Sequence, residues 1–183
     1  MNTQKLPTKP GPTAVCAQLG NAARVMPHFL RFETEPKRYG GRVATLSVFG
    51  GTGALDEALR DGCQDRVVVI DAQSQTLTSF FGPAQLDHAL AGKVRAIVMF
   101  GAICVVSKLK ASPIPIIAMG FTPRMAPSAT GTLIRHYFMT EIGPIQDEGP
   151  HNSQPGDYIV GSENGHVICK TTDYARVFGQ NAL

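Results

Sequence analysis

The chain has 183 residues, 43% of them apolar and 17% charged, with a formal net charge of +3. This fits one domain able to bury roughly 70% of its unfolded surface, and it excludes a disordered chain. No apolar run nears the ~20 residues of a membrane span, and the densest basic groups are only Lys37-Arg38 and Lys108 with Lys110, so neither a membrane nor direct nucleic-acid binding is expected.

Residues 1–12, rich in Pro, Thr and Lys, read as a flexible leader, and 13–183 as a single domain. Lys5, Lys9 and the prolines of the first twelve residues interrupt any secretory segment. Thr13 caps a short helix over 14–19 that stops at Gly20. Gly40-Gly41 punctuates the entry to an alternating strand over 42–49. Gly50-Gly51-Thr52-Gly53 then precedes an amphipathic helix over 54–60. That is the context of a phosphate-cradling turn, but the P-loop lysine and the full Gly spacing are missing, and a tight turn is the simpler reading.

The next segments set the fold class. Val67 to Ile70, Arg95 to Phe100 and Ile114 to Met119 are short apolar runs that stop at Gly or Asp, with helix-forming sequence between them, including a helix over 83–90 that opens on Pro83. This rhythm predicts an α/β domain with a buried sheet. Ligands in such sheets sit at the carboxyl ends of strands, which points to Asp71 and to the loop expected after Gly101. Asp71 can equally cap its own loop. The loop Ala102-Ile103-Cys104-Val105-Val106 offers no ionisable group except a thiol. A β-like run is expected over 76–81, a short helix over 106–110, a strand over 133–142, a hairpin turning at Asn164-Gly165, and a closing helix over 171–178.

Other chemistry is sparse. Cys16, Cys63, Cys104 and Cys169 show no C-x-x-C spacing, which predicts reduced thiols and an intracellular, cytoplasmic setting. Cys104 is either a nucleophile or, more simply, an inert buried thiol. Asp87 and His88 are adjacent on one helix and cannot form a dyad with each other. His136, His151 and His166 show no ligand spacing. Arg124, after Thr122-Pro123, either binds an anion or bridges subunits. The final Asn181-Ala182-Leu183 shares one residue with the peroxisomal tripeptide Ser-Lys-Leu, and an ordinary chain end is the simpler reading.

The ordered set resembles the family called regulator of ribonuclease activity A, which includes metal-dependent 4-hydroxy-4-methyl-2-oxoglutarate aldolases. It is carried by Gly40-Gly41-Arg42, Asp65-Arg66-Val67-Val68-Val69-Ile70-Asp71, Phe81-Gly82, Val98-Met99-Phe100-Gly101-Ala102, Ala118-Met119-Gly120-Phe121-Thr122-Pro123-Arg124 and Pro155-Gly156-Asp157-Tyr158-Ile159-Val160-Gly161 with Asn164-Gly165. The resemblance implies a swivelling β/β/α domain, a mixed central sheet flanked by helices, assembled as a homotrimer or hexamer. It implies a pocket between subunits. One wall is Gly82, Pro83, Ala84 and Gln85; the other is an Arg-Asp pair after Gly101-Ala102, with the Arg124 loop nearby.

The aldolases grip the substrate with that Arg and hold Mg²⁺ or Mn²⁺ with that Asp. Here Cys104 and Val105 take the two places. A thiol cannot copy a guanidinium fork, and valine offers no hard oxygen. The resemblance therefore implies a vestigial pocket with no cofactor, in an oligomeric, non-catalytic regulator of RNA metabolism that contacts a ribonuclease or RNA helicase. The alternative is a divalent-metal aldolase with replaced ligands. The family's bacterial regulators are acidic, whereas this chain is slightly basic, which implies a different partner surface.

Overall fold

In a computed structural model, residues 10–35, 37–128, 132–134, 138–140 and 151–180 are described. Helix α1 (Pro12–Leu19) starts two residues before expectation, with Pro12 in its first turn and Gly11 as its N-cap. A 3-10 turn follows, then two short strands, β1 (Arg24–Val25) and β2 (Arg31–Phe32). Strand β3 (Tyr39–Phe49) runs straight through Gly40-Gly41 rather than starting after it. These glycines answer a need for space. A Cβ on Gly40 would sit 3.2 Å from the Ile159 carbonyl oxygen, and one on Gly41 would sit 3.3 Å from Val67 Cγ2.

Helix α2 (Gly53–Asp61), β4 (Val67–Asp71), β5 (Ser79–Phe81), α3 (Pro83–Ala91), β6 (Ala96–Ile103), α4 (Val106–Leu109) and β7 (Ile116–Phe121) continue the alternation. Then come β8 (Thr132–Ile134), β9 (Phe138–Thr140), β10 (His151–Ser153), β11 (Tyr158–Ser162), β12 (Gly165–Cys169) and α5 (Thr171–Phe178). The strand expected over 133–142 falls on β8 and β9, with 135–137 and 141–142 outside the described residues, as are residues 1–9, His136 and 181–183. The hairpin turns one residue earlier than expected, on Glu163-Asn164. Ser162 faces Gly165, whose φ of +111° closes the turn.

The sheet is mixed, in the order β1-β12-β11-β3-β4-β6-β7-β2, with β5 added to β6 and β8 to β3. Strands β3, β4, β6 and β7 are parallel neighbours, and β2, β11, β12 and β1 extend them antiparallel. Alternation along each strand divides the core. On one side Leu46, Val68, Ile70, Ile97 and Met99 meet Leu55 and Leu59 of α2, Leu86 and Ala89 of α3, and Leu109 of α4. On the other, Val43, Val67, Val69, Val98 and Phe100 pack with Met26, Leu30, Tyr39 and Ile159. A third cluster joins α1 and α5 to the hairpin through Val15, Tyr158, Val167 and Tyr174, with the two tyrosine rings stacked at 4.1 Å. The fold is thus an α/β domain with a mixed sheet and flanking helices. None of the four cysteines forms a disulfide. Among the described residues no helix is long and apolar enough to cross a membrane.

Candidate functional site

Strand β6 does not end at Gly101. Ala102 and Ile103 are fully buried and pair with β5 on one side and with Gly120 and Phe121 of β7 on the other. The loop expected after Gly101 is therefore strand up to Ile103, because β5 supplies a partner for its backbone that the sequence does not advertise. Gly101 is packed under this layer: a Cβ there would lie 2.9 Å from Ala72 Cβ and 3.1 Å from the Gln75 carbonyl oxygen.

Cys104 follows, and its N–H donates to the Phe81 carbonyl at 2.9 Å. This bond brings the turn into α3 against the end of β6. A Cβ on Gly82 would lie 3.8 Å from Cys104 Cβ and 3.6 Å from Met125 Sδ. The structure thus brings Gly82, Cys104 and the segment carrying Arg124 into one corner. Pro83 is half-buried and Ala84 exposed at the start of α3.

Gln85 is buried and its polar atoms are committed. Its Oε1 accepts from the Gly82 N–H at 3.0 Å, and its Nε2 donates to Asp56 Oδ1 at 2.7 Å. Asp56 Oδ2 in turn accepts from the Thr52 hydroxyl at 3.3 Å. The amide therefore ties the first turn of α3 to the first turn of α2. Sequence reasoning missed this Asp56 link because the two residues lie on different helices.

The Cys104 thiol is 4% exposed and donates to the Pro123 carbonyl at 3.7 Å. The thiol is thus buried and turned to a backbone carbonyl, and among the described residues no base or cation of the kind a nucleophile needs is paired with it. Val105 is 43% exposed and sits at φ 56°, ψ 50°, in the left-handed region. That conformation is an outlier for a β-branched residue, whereas Asn and Asp adopt it readily. Val105→Asn is therefore expected to stabilise the fold by about 1 kcal/mol. A urea midpoint no higher than that of the parent chain would refute the strain.

Arg124 is exposed, and its guanidinium makes no ion pair among the described residues. Its backbone is fixed, since Ser79 N–H donates to its carbonyl at 2.8 Å and its own N–H reaches Thr122 Oγ1 at 3.5 Å. Around this edge stand Leu77 (76% exposed), Phe121 (73%) and Met125 (37%) beside Val105. The Thr122 hydroxyl donates to the Leu77 carbonyl, and Phe121 faces Ile103. These apolar side chains were not singled out from sequence, because their exposure depends on where β5 and β7 stop.

The remaining candidates resolve locally. Asp71 Oδ1 accepts from the Gln73 N–H at 2.6 Å, so it caps its loop. The Thr52 N–H donates to the Pro127 carbonyl, and Asp56 stands in the first turn of α2, so the Gly50–Gly53 turn is not an open phosphate cradle. His88 is half-buried on α3 and Asp87 exposed. His166 is buried, and its Nδ1 lies 3.0 Å from the Tyr39 hydroxyl. Burial raises the Tyr39 phenol pKa, so the hydroxyl keeps its proton, and the ring tautomer sets which of the two groups donates. The same burial lowers the His166 pKa to about 4, against a backbone hydrogen bond with Leu30 that raises it.

A divalent ion of the Mg²⁺ or Mn²⁺ type needs hard oxygen ligands. At the Gly82–Cys104 corner the Gln85 oxygen and both Asp56 oxygens are engaged, and Val105 and Cys104 supply none. Among the described residues no three His, Cys, Asp or Glu side chains converge on a point. The described residues at this corner do not fit such an ion.

Several solved structures share this architecture. The RNA-processing inhibitor RraA from Thermus thermophilis is 19% identical with a TM-score of 0.73, covering 88% of this chain and 93% of its own. An unusual member of the RNase ES inhibitor RraA family from Streptomyces coelicolor is 18% identical with a TM-score of 0.73, covering 92% and 85%. A structure described as S-adenosylmethionine:2-dimethylmenaquinone methyltransferase, from Geobacillus kaustophilus, is 20% identical with a TM-score of 0.71, covering 86% and 93%. No curated protein sequence matches significantly. The RraA-like family model, described as Aldolase/RraA, matches residues 13–168, so the chain belongs to this family, which holds both inhibitor-type and aldolase-type members.

Proposed function

We propose that this chain is an oligomeric, non-catalytic RraA-like protein that regulates RNA metabolism by contacting a ribonuclease or an RNA helicase. The observation that carries the reading is the pairing of a carbonyl-bound thiol at Cys104 with an isopropyl group at Val105 where β6 ends. A retro-aldol cleavage needs a cation to stabilise the developing enolate, and neither side chain supports one. The exposed Leu77, Phe121 and Met125 around the same corner support a cover formed by further copies of the chain, as a trimer or a pair of trimers.

Two measurements test this. Light scattering should return a multiple of three subunits, and Phe121→Asp should shift the mass toward one; a monomeric parent chain removes the shared pocket. Pyruvate release from 4-hydroxy-4-methyl-2-oxoglutarate with added Mg²⁺ or Mn²⁺ should stay at background. Metal-dependent turnover would establish the aldolase reading instead. A purified ribonuclease of the ribonuclease E type should cleave RNA more slowly with the oligomer present, and an unchanged rate counts against that partner.

A further inference from the structure

At the opposite, amino-terminal edge of the parallel strands lies a cavity of about 450 Å³, lined by Arg42, Gln64, Asp65, Arg66 and Arg95. Its three arginines are far apart in sequence but adjacent in the sheet. Val43 is in register with Val67, and Val67 with Ala96. Each arginine is the residue just before one of these three, so they stand side by side across β3, β4 and β6. The Arg95 N–H donates to the Arg66 carbonyl at 2.8 Å, which fixes that alignment.

Neighbouring strands are about 4.8 Å apart, so each arginine backbone lies within a Debye length (about 8 Å at physiological salt) of the next, with the outer two about 10 Å apart. Like charges directly across a sheet repel. The cavity offers one carboxylate, Asp65, against three guanidinium groups. None of the three forms an ion pair among the described residues, whereas Arg24, Arg60 and Arg176 each pair with an aspartate. The scaffold is firm. Asp65 holds a left-handed turn (φ 56°) with its N–H on the Lys93 carbonyl, and Arg66 N–H bonds the Cys63 carbonyl. Arg95 Nη1 reaches the Gly40 carbonyl at 3.4 Å, and its side chain lies over Gly41, which leaves its other guanidinium nitrogens outside that bond.

We infer that Arg42, Arg66 and Arg95 form a binding site for a small ligand carrying a diphosphate group. Guanidinium forks match phosphate oxygens in pairs, and a row of three spans more than one phosphoryl group. The lining contains no aromatic ring on which a base could stack, which favours a phosphate-rich small molecule over single-stranded RNA. Gln64 adds a neutral amide donor at the rim.

Calorimetry of the full chain with inorganic pyrophosphate, at about 0.15 M salt, tests the site. Binding is expected for the parent chain, with at least a tenfold loss in Arg66→Gln and in Arg95→Gln. Arg60→Gln, which removes an exposed arginine elsewhere, should bind like the parent, and Arg66→Lys should keep part of the affinity if Arg66→Gln misfolds. Equal affinity in all variants, or no binding by the parent, overturns the proposal. An RNA oligonucleotide that binds more tightly than pyrophosphate, and loses affinity in the same variants, overturns it in favour of a nucleic-acid surface.

Discussion

Replacing Gly92 with alanine is expected to cost about 3 kcal/mol of stability, the upper end of what overpacking a core produces. Gly92 closes α3 with a φ of −78°, so alanine could adopt its backbone; the obstacle is space. A Cβ there would lie 2.0 Å from the Leu59 carbonyl oxygen and 2.8 Å from that of Arg60. Both are backbone atoms at the last turn of α2, and no rotamer change relieves the clash. The end of α2 must retreat, which loosens Leu55 and Leu59 from Leu86 and Ala89. For a chain of this length the melting temperature should fall by roughly 6–12 °C. Gly120→Ala is the control, since nothing lies within 4 Å of a Cβ there, and it should change stability by less than about 0.5 kcal/mol. A Gly92→Ala midpoint within about 1 kcal/mol of the parent would mean that the two helices do not approach this closely.

Acidification should weaken the fold through His166. The ring titrates near 6.5 in an unfolded chain and is lowered to about 4 here, mainly by burial. The folded state favours the neutral ring, so the unfolded chain takes up the proton first as pH falls. The contribution is therefore complete above pH 6.5, declines through the window from 6.5 to 4, and reaches a loss of about 3 kcal/mol at its lower end. Protonation also makes both ring nitrogens donors, so Nδ1 can then only donate to the Tyr39 hydroxyl. His166→Gln retains a polar partner for Tyr39 but does not titrate. Urea midpoints at pH 7, 5.5 and 4.5 should fall in the parent and stay flatter in the variant. Parallel curves would assign the acid loss to other groups.

The sequence made legible what local pattern controls. Val67 to Ile70 and Ile114 to Met119 are β-branched runs in a buried parallel layer, and α5 matches its expected bounds because Thr171 to Phe178 carries a clear amphipathic period. Strands β1 and β2 were not legible, since two residues have no period and exist as strands only through Ile168 and Ala118. The meeting of Gly82 with Cys104 was implied by resemblance alone. The arginine row was invisible for a related reason: residues 42, 66 and 95 become neighbours only once three strands are set in register. The Tyr39–His166 bond likewise joins residues that no local spacing connects.

Strand β3 has a role that its length explains. Its first residues, Tyr39 to Arg42, zip antiparallel to β11, while Val43 to Ser47 run parallel to β4. One unbroken backbone thus belongs both to the hairpin-and-terminal-helix half and to the βαβ half. Neither half can peel away without tearing hydrogen bonds from a ribbon that the other still needs. Melting should accordingly proceed as one concerted event rather than as two, with the ribbon acting as the spine that couples them.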